Sequence, residues 1–364
     1  MALSPESAIR LQTLGWACLV VLFLIGAPLL LGISPWILLL IVALGAVLAA
    51  GGRWIVQRLR HRPLARRGVL SAALVGGLLL TGLVALPLYW LVLQPALKPM
   101  VVPRVTMTDG RRELVFQGVT HIGSALFYRS MAFDLLRARE AGSVLYFEGV
   151  GDGTPEAKAW FDAAIGAGGG LNADYEKIAG FCGLHFQNEF IEFLVRDHAL
   201  HPGRTVDADV SETDMYEEWR RLVARQPELA QALATKHDDD GPSGLDHVVE
   251  VLSKVGNRQQ PFVGAACRGI FNIGLGRPDS PDPMNRVVLD FRNRKLAERV
   301  LADPAADLYL VYGSGHLPGF VRELRRREAA WKVFGVTWST PIQAPEDAVG
   351  RLDIDAAALA TEPL

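Results

Sequence analysis

The sequence predicts one α/β domain with a mostly helical insertion, preceded by about three transmembrane helices. Three observations lead there. The first 95 residues contain three apolar runs without a charge. The rest has β-type segments at both ends and helical segments between them. Two of the β-type segments run into the same short pattern, Gly-x-x-His. Strands at both ends with helices between them are expected of a single sheet interrupted by an insertion.

The apolar runs are Leu14–Ile33, Pro35–Gly52 and Val69–Leu93. A helix needs roughly 20 apolar residues to cross a bilayer, so the first and third suffice and the second is marginal. Trp16, Trp36, Trp54 and Trp90 stand near the ends of these runs, where interfacial aromatics are expected. A cleaved signal peptide fits poorly, because the first run is long and two more follow it. Charge supports the same division. The chain has 364 residues and a formal charge of -2, but residues 1–100 carry eight basic side chains and one acid, Glu6. The remainder holds 29 basic residues against 38 acidic ones, a balance that gives no footprint for nucleic acid. Six arginines and no acid lie between Arg53 and Arg67, which places that segment in the cytoplasm by the positive-inside rule. Everything after about residue 100 is then outside. The expected location is the inner membrane, multi-pass, with an extracytoplasmic C-terminal domain and the lipid bilayer as a partner. Cys182 and Cys267 fall in that domain and are able to pair in an oxidising compartment. One pair is not a disulfide framework, and no CxxC is present.

Element by element, the division is 1–95 as anchor, 96–104 as a Pro-containing linker, 105–345 as the α/β domain and 346–364 as a tail. Pro95, Pro99 and Pro103 read as a stiff extended spacer. The stretch VVPRVTMTDGRRELVFQG reads as a hairpin, with Asp109-Gly110 accepting positive φ at both positions. A helix from about Ser124 to Ala141 follows, then the strand SVLYFEGV. Thr154-Pro155 opens another helix as N-cap and first-turn proline. GAGGG at 166–170 breaks it as a loop. Residues 172–198 form one or two helices, with His185 and Glu189 on one face. Ser211 starts a variant capping box, Ser-Glu-Thr-Asp. HDDDGPSG is an exposed loop. A helix from about Met284 to Leu301, the strand DLYLVYG, a helix from near Pro318 and the strand WKVFGVTW close the domain.

Three strands end in polar residues fit for chemistry: GVTH at 118–121, Glu148 in YFEGV, and His316 in YGSGHLPG. In open α/β sheets, ligands bind beyond the carboxyl ends of the strands, and glycine lets a ligand approach the backbone there. Two imidazoles and a carboxylate are a workable set for a divalent metal with open positions, which acidifies bound water. A single Gly-x-x-His is a weak signal, and Glu148 alone is equally a helix cap or the partner of an arginine. His198, His201, His237 and His247 read as solvated.

The ordered pieces from about Val115 to Ile342 are more specific. GVTH, YFEGV, GLHFQNEF with Gln187, DADVS at 207–211, Arg292-Asn293 and YGSGHLPG follow one another over some 225 residues. This series resembles the TraB/GumN/Tiki family, and more remotely the erythromycin-esterase-like and ChaN-like proteins. The resemblance is strongest at both ends and weak across 212–283, and three apolar runs replace the family's single anchor. It implies an α/β domain whose active centre holds His121, His316 and Glu148. The histidines would be metal ligands or catalytic bases, and Glu148 a carboxylate ligand or general base. Arg292 would stabilise an oxyanion or hold a carboxylate, with Gln187, Asp209 and Asn293 behind them. The implied activity is a membrane-anchored metal-dependent hydrolase, most readily a peptidase of Tiki type, using Mn, Co or Zn against a peptide or protein substrate. The alternative is a non-catalytic binder or inhibitor of a peptide signal. Haem binding ranks last, since no CxxCH is present. The sequence leaves the oligomeric state open.

The orientation is testable directly. A phosphatase reporter fused after residue 100 is expected to be active outside the cytoplasm, and a silent reporter would reverse the topology.

Overall fold

The computed structural model describes residues 35–61, 66–165, 171–229, 260–275, 284–304 and 307–343, with isolated positions before residue 20. The chain divides into two units. One comprises Met1–Lys98, Val255–Ile270 and Ala344–Leu364; the other comprises Pro99–Lys254 and Phe271–Gln343.

In the first unit the apolar runs form helices α1 (Pro35–Leu59) and α2 (Arg66–Leu97), which pack on each other. Glycine makes this contact possible. A Cβ added to Gly76 would lie 2.1 Å from Ala49 Cβ, and one on Gly45 would lie 2.6 Å from the Gly76 carbonyl oxygen. Small residues at a helix crossing let the backbones approach where lipid removes the hydrophobic drive to associate. Thr81 is buried, and its hydroxyl donates to the Gly77 carbonyl at 2.7 Å, so no polar group is left unmet at that point. The outer faces stay apolar and exposed, as at Leu40, Val47 and Leu83.

Two segments, Leu38–Leu59 and Arg66–Val84, are long and apolar enough to cross a membrane. Three spans were expected; the run 14–33 lies almost entirely outside the described residues. The marginal second run gains length by continuing through Arg53 to Leu59. Arg53, Arg58 and Arg66–Arg67 are therefore helical, and the expected basic loop shrinks to the residues between the helices. Arg58 lies over the Trp54 ring at 5.3 Å, a way for a cation to sit at an apolar boundary. The expected proline spacer is also shorter. Pro95 lies within α2, which runs on to Leu97, and Pro103 is already in a strand. A proline inside a helix loses its N–H bond and crowds the carbonyl one turn earlier, yet long apolar helices tolerate it.

The second unit starts with β1 (Val102–Thr108) and β2 (Glu113–Val119), an antiparallel hairpin. Its turn differs from expectation: among Asp109 and Gly110 only Gly110 has positive φ, at 91°. Asp109 Oδ1 instead accepts from the N–H groups of Arg111 (2.8 Å) and Arg112 (3.0 Å), which opens the loop to four residues. Next come β3 (Ile122–Gly123), α3 (Ala125–Glu140, capped by the Ser124 hydroxyl) and β4 (Val144–Phe147). The insertion then gives α4 (Pro155–Ile165), α5 (Leu171–Phe181), β5 (His185–Phe186), α6 (Asn188–Leu200) and β6 (Thr205–Asp207). It continues with α7 (Glu212–Arg225); of the next helix, α8 (Gln260–Leu275), the residues through Ile270 belong to the first unit and only Phe271–Leu275 to the second. Ser211 caps α7 through the capping box with Asp214. Cys182, after α5, is buried and disulfide-bonded. The loops GAGGG and HDDDGPSG lie outside the described residues.

The chain closes with α9, β7 (Leu308–Gly313), α10 (Leu317–Arg327) and β8 (Lys332–Ser339). In α9 a π-helical segment, Arg286–Phe291, passes into an α-helix, Arg292–Ala302. The continuous helix expected over this stretch is thus widened by i→i+5 bonding just before Arg292.

The six-stranded sheet has the order β6-β4-β7-β2-β1-β8; the first four strands are parallel, β1 runs antiparallel to them, and β8 is antiparallel to β1. Alternation along the strands builds two cores. Leu114, Phe116, Leu310 and Tyr312 face Leu296, Val300 and Phe320 of α9 and α10. Val115, Tyr309 and Val311 face Phe127, Leu135, Phe190 and Leu194 of α3 and α6. A third cluster, around Trp160, Trp219 and Val287, joins α4 and α7 to the π segment. Because β2, β7, β4 and β6 run parallel, their carboxyl ends line up. Val119 is in register with Gly313, and Phe147 with both Val311 and Asp207.

The hairpin packing predicts a cross-link. A Cβ on Gly77 lies 3.8 Å from Ala46 Cβ, the mean Cβ separation in disulfides. The full-length Ala46→Cys/Gly77→Cys double variant is expected to oxidise rapidly. A Leu40→Cys/Gly77→Cys control, with position 40 on the exposed face, should not.

Candidate active site

A cavity of about 950 Å³ opens at the carboxyl ends of the parallel strands, and His121, Glu148, Gln187, Arg292 and His316 all line it. Each is held there by local structure. Past β2 the chain turns at Thr120, whose hydroxyl donates to the Ile122 carbonyl while its own carbonyl accepts from the Tyr128 hydroxyl at 2.9 Å. His121 is exposed at this turn, and its carbonyl accepts from the Gln187 N–H at 2.9 Å. Gln187 stands just before α6, and its side chain makes no capping bond.

Glu148 follows β4 directly. Its Oε1 accepts from Arg292 Nη2 at 2.6 Å and its Oε2 from the Gly313 N–H. Arg292 also grips Asp209, through Nε to Oδ1 at 2.9 Å and through Nη2 to Oδ2. Both Arg292 and Asp209 are buried. Burial pushes the Glu148 carboxyl upward, but the Arg292 charge, the His316 ring and the Gly313 N–H outweigh it. They hold the group well below the usual carboxylate range. Burial likewise works against the Arg292 charge, and the two carboxylates more than restore it.

His316 is buried in the 3-10 turn after β7. Its Nδ1 is 2.9 Å from Asn293 Oδ1, so Nδ1–H donates and Nε2 is the basic nitrogen. Nε2 stands 3.6 Å from Glu148 Oε1, too far for a direct hydrogen bond. Tyr312 packs edge-on against the ring at 5.9 Å. Glycine again supplies room. A Cβ on Gly319 would lie 2.2 Å from Asn293 Nδ2, and one on Gly118 would lie 2.8 Å from the Pro103 carbonyl oxygen.

The structure thus brings the seven residues singled out in the sequence to one strand edge: five line the cavity, and Asp209 and Asn293 bond to two of those five. It does not bring together the metal triad of His121, Glu148 and His316. Among the described residues, no three His, Cys, Asp or Glu side chains are grouped to hold an ion. The donor chemistry argues the same way, because Glu148 is committed to a guanidinium and a backbone N–H. A divalent ion there would face the Arg292 cation. The residues present do not fit a resident metal.

Two other histidines depart from expectation. His185 lies on β5 rather than on a helix with Glu189, and is exposed. His198 is not solvated; its Nδ1 bonds the Thr205 carbonyl at 2.5 Å and its ring packs against Phe147. Tyr312 was missed as a site residue. It lines the cavity, and its buried hydroxyl has no hydrogen-bond partner among the described residues. Its place inside YGSGHLPG was the available signal, read only as the end of a strand.

The Glu148 environment fixes the sign of a pH effect. A carboxyl held below its ordinary value of 4.5 stabilises the fold fully above that value. This stabilisation is lost as pH falls through the folded-state pKa. Glu148→Gln is expected to cost roughly 2 kcal/mol at pH 7. That is less than the roughly 3–5 kcal/mol for breaking a fully buried pair, because part of the side chain is exposed. Its unfolding midpoint should also fall less than that of the parent between pH 5 and pH 3; parallel curves would remove the assignment.

Compared with known proteins, the chain matches no protein-family model, no curated protein and no solved structure.

Proposed function

We propose that the chain is a membrane-anchored, extracytoplasmic hydrolase whose base is an imidazole. The observation that carries this reading is His316, held between Asn293 and Glu148 at the strand edge of a large cavity. Asn293 sets the tautomer, so Nε2 is free to take a proton from water. Glu148 stays ionised beside it, which suits it to stabilise the imidazolium that forms. A carboxyl held so far below its usual range is a poor base and cannot serve as the acid. Arg292 keeps N–H capacity at Nη1, whose contact to the Val288 carbonyl is long at 3.4 Å, and can polarise a carbonyl oxygen. His121, exposed at the turn after β2 and lining the same cavity, is the candidate to protonate the leaving group.

The resemblance of the ordered motifs to the TraB/GumN/Tiki family is the ground for reading a hydrolase, and the strand-edge location supports a ligand site. The arginine-rich segment and the oxidised Cys182 support an extracytoplasmic domain. The metal in the family-based reading becomes an outcome of the test rather than a premise.

Full-length protein in detergent is expected to hydrolyse activated esters and amides, with activity unchanged by a chelator. His316→Gln should lower kcat/KM by about 10²–10⁴-fold, the usual contribution of a general base. Activity abolished by chelation and restored by Mn, Co or Zn would reinstate the metal-dependent reading. Saturable peptide binding without turnover would assign the non-catalytic one.

A further inference from the structure

The cavity is strongly asymmetric in its chemistry. One wall is a stripe of α6: Phe190, Ile191, Leu194 and Val195 line it at i, i+1, i+4 and i+5, one face of a helix. The other end is polar and carries an excess of acid. Glu148 and Asp209 flank the single guanidinium of Arg292, so with neutral imidazoles this trio is net negative by one charge. Tyr312 adds a hydroxyl that is buried and unpartnered among the described residues. Burial, with the negative charges of Asp209 and Glu148 nearby, raises its pKa well above the ordinary tyrosine value, so it keeps its proton and remains a hydrogen-bond donor.

We infer that the cavity receives an amphiphile, with an apolar chain along α6 and an uncharged, hydrogen-bond-accepting head at Tyr312. The inference rests on the hydrolase reading for the bond that is broken, and it names the substrate class as an acyl ester or acyl amide. Water's oxygen bonds to the acyl carbon as the acyl C–O or C–N bond breaks. One proton passes to the leaving alcohol or amine, and the other leaves with ionisation of the new acid. The product is a carboxylate facing a net-negative site, which favours its release. At about 950 Å³ the cavity is at the upper end of ligand sites, large enough for a chain of many carbons.

The test uses full-length protein in lipid nanodiscs, with empty nanodiscs subtracted, and reads binding by calorimetry. The probes are 1-butanol, 1-hexanol, 1-octanol and octanoate, none of which can be hydrolysed. Affinity for the alcohols is expected to rise about four-fold per methylene. Octanoate should bind at least ten-fold more weakly than octanol. Tyr312→Phe should weaken alcohol binding about three- to ten-fold, the loss of one hydrogen bond. Ile191→Glu should flatten the chain-length dependence; Val195→Glu, half-exposed on the same wall, replaces it if the first does not fold. Octanoate binding as tightly as octanol, or an unchanged chain-length dependence in the wall variant, would overturn the inference. Because the probes are inert, those failures are distinct from a failure of the hydrolase reading, which would show as binding without ester turnover.

Discussion

The rest of the site depends on one ion cluster, Arg292 between Glu148 and Asp209. It ties the start of the α-helical part of α9 to the end of β4 and to the loop after β6. Two carboxylates this close at a sheet edge would repel each other. The guanidinium fork satisfies both, donating through Nε and Nη2 in one plane. Neighbouring features follow from the cluster. The π segment alters the helical phase before Arg292, and Arg292 and Asn293 are both buried on the side of the sheet where His316 sits. Gly313 must be small, because a Cβ there would press on Glu148 Oε2 at 3.2 Å, and its N–H donates to that same oxygen. Gly149 is constrained likewise by Asp207, whose Oδ2 would stand 2.8 Å from a Cβ.

The cluster also decides which side chain can do acid–base work. Of the ionisable groups at the strand edge, it fixes Glu148 as an anion and Arg292 as a cation, which removes both from proton transfer near neutral pH. Asp207, a cavity-lining carboxyl that burial pushes up from its ordinary value, and the imidazoles of His121 and His316 remain. His316 is oriented from behind by Asn293, which is in turn seated against Gly319. The arrangement follows the logic of a base held by one hydrogen bond while a nearby fixed charge awaits its protonation. A metal in the same place would compete with Arg292 and the Gly313 N–H for the Glu148 carboxylate.

Much of this was legible in the sequence because it rests on local chemistry. The Asp109-Gly110 hairpin, the Ser211 cap and the strands before His121, Glu148 and His316 follow from neighbouring residues. What the sequence could not show is who meets whom. Glu148 was open to four roles, as metal ligand, general base, helix cap or arginine partner, and only tertiary placement shows the pairing with Arg292. Arg292 and Asp209 stand 83 positions apart, and no local pattern joins them. The turn at Asp109 was misjudged because a side chain acceptor replaced a backbone conformation. The α2 boundary was misjudged because proline was read as a stop, where an apolar helix tolerates it.

The glycines of YGSGHLPG separate two kinds of constraint. Neither Gly313 nor Gly315 has positive φ, so neither glycine is required by a left-handed backbone angle. Gly313 is explained by Glu148, and Gly319 by Asn293; each leaves room for a side chain of this chain. Gly315 is different. A Cβ there would meet nothing within 4 Å, and the residue lines the cavity. No packing or backbone demand in the described residues accounts for a glycine at that point. What a bare backbone at a cavity wall provides is close approach for something that enters the cavity. Gly315 therefore belongs with the Tyr312 hydroxyl: each is a feature of the strand edge that packing within the described residues leaves unexplained, and the proposed ligand, set against the turn that carries His316, would account for both.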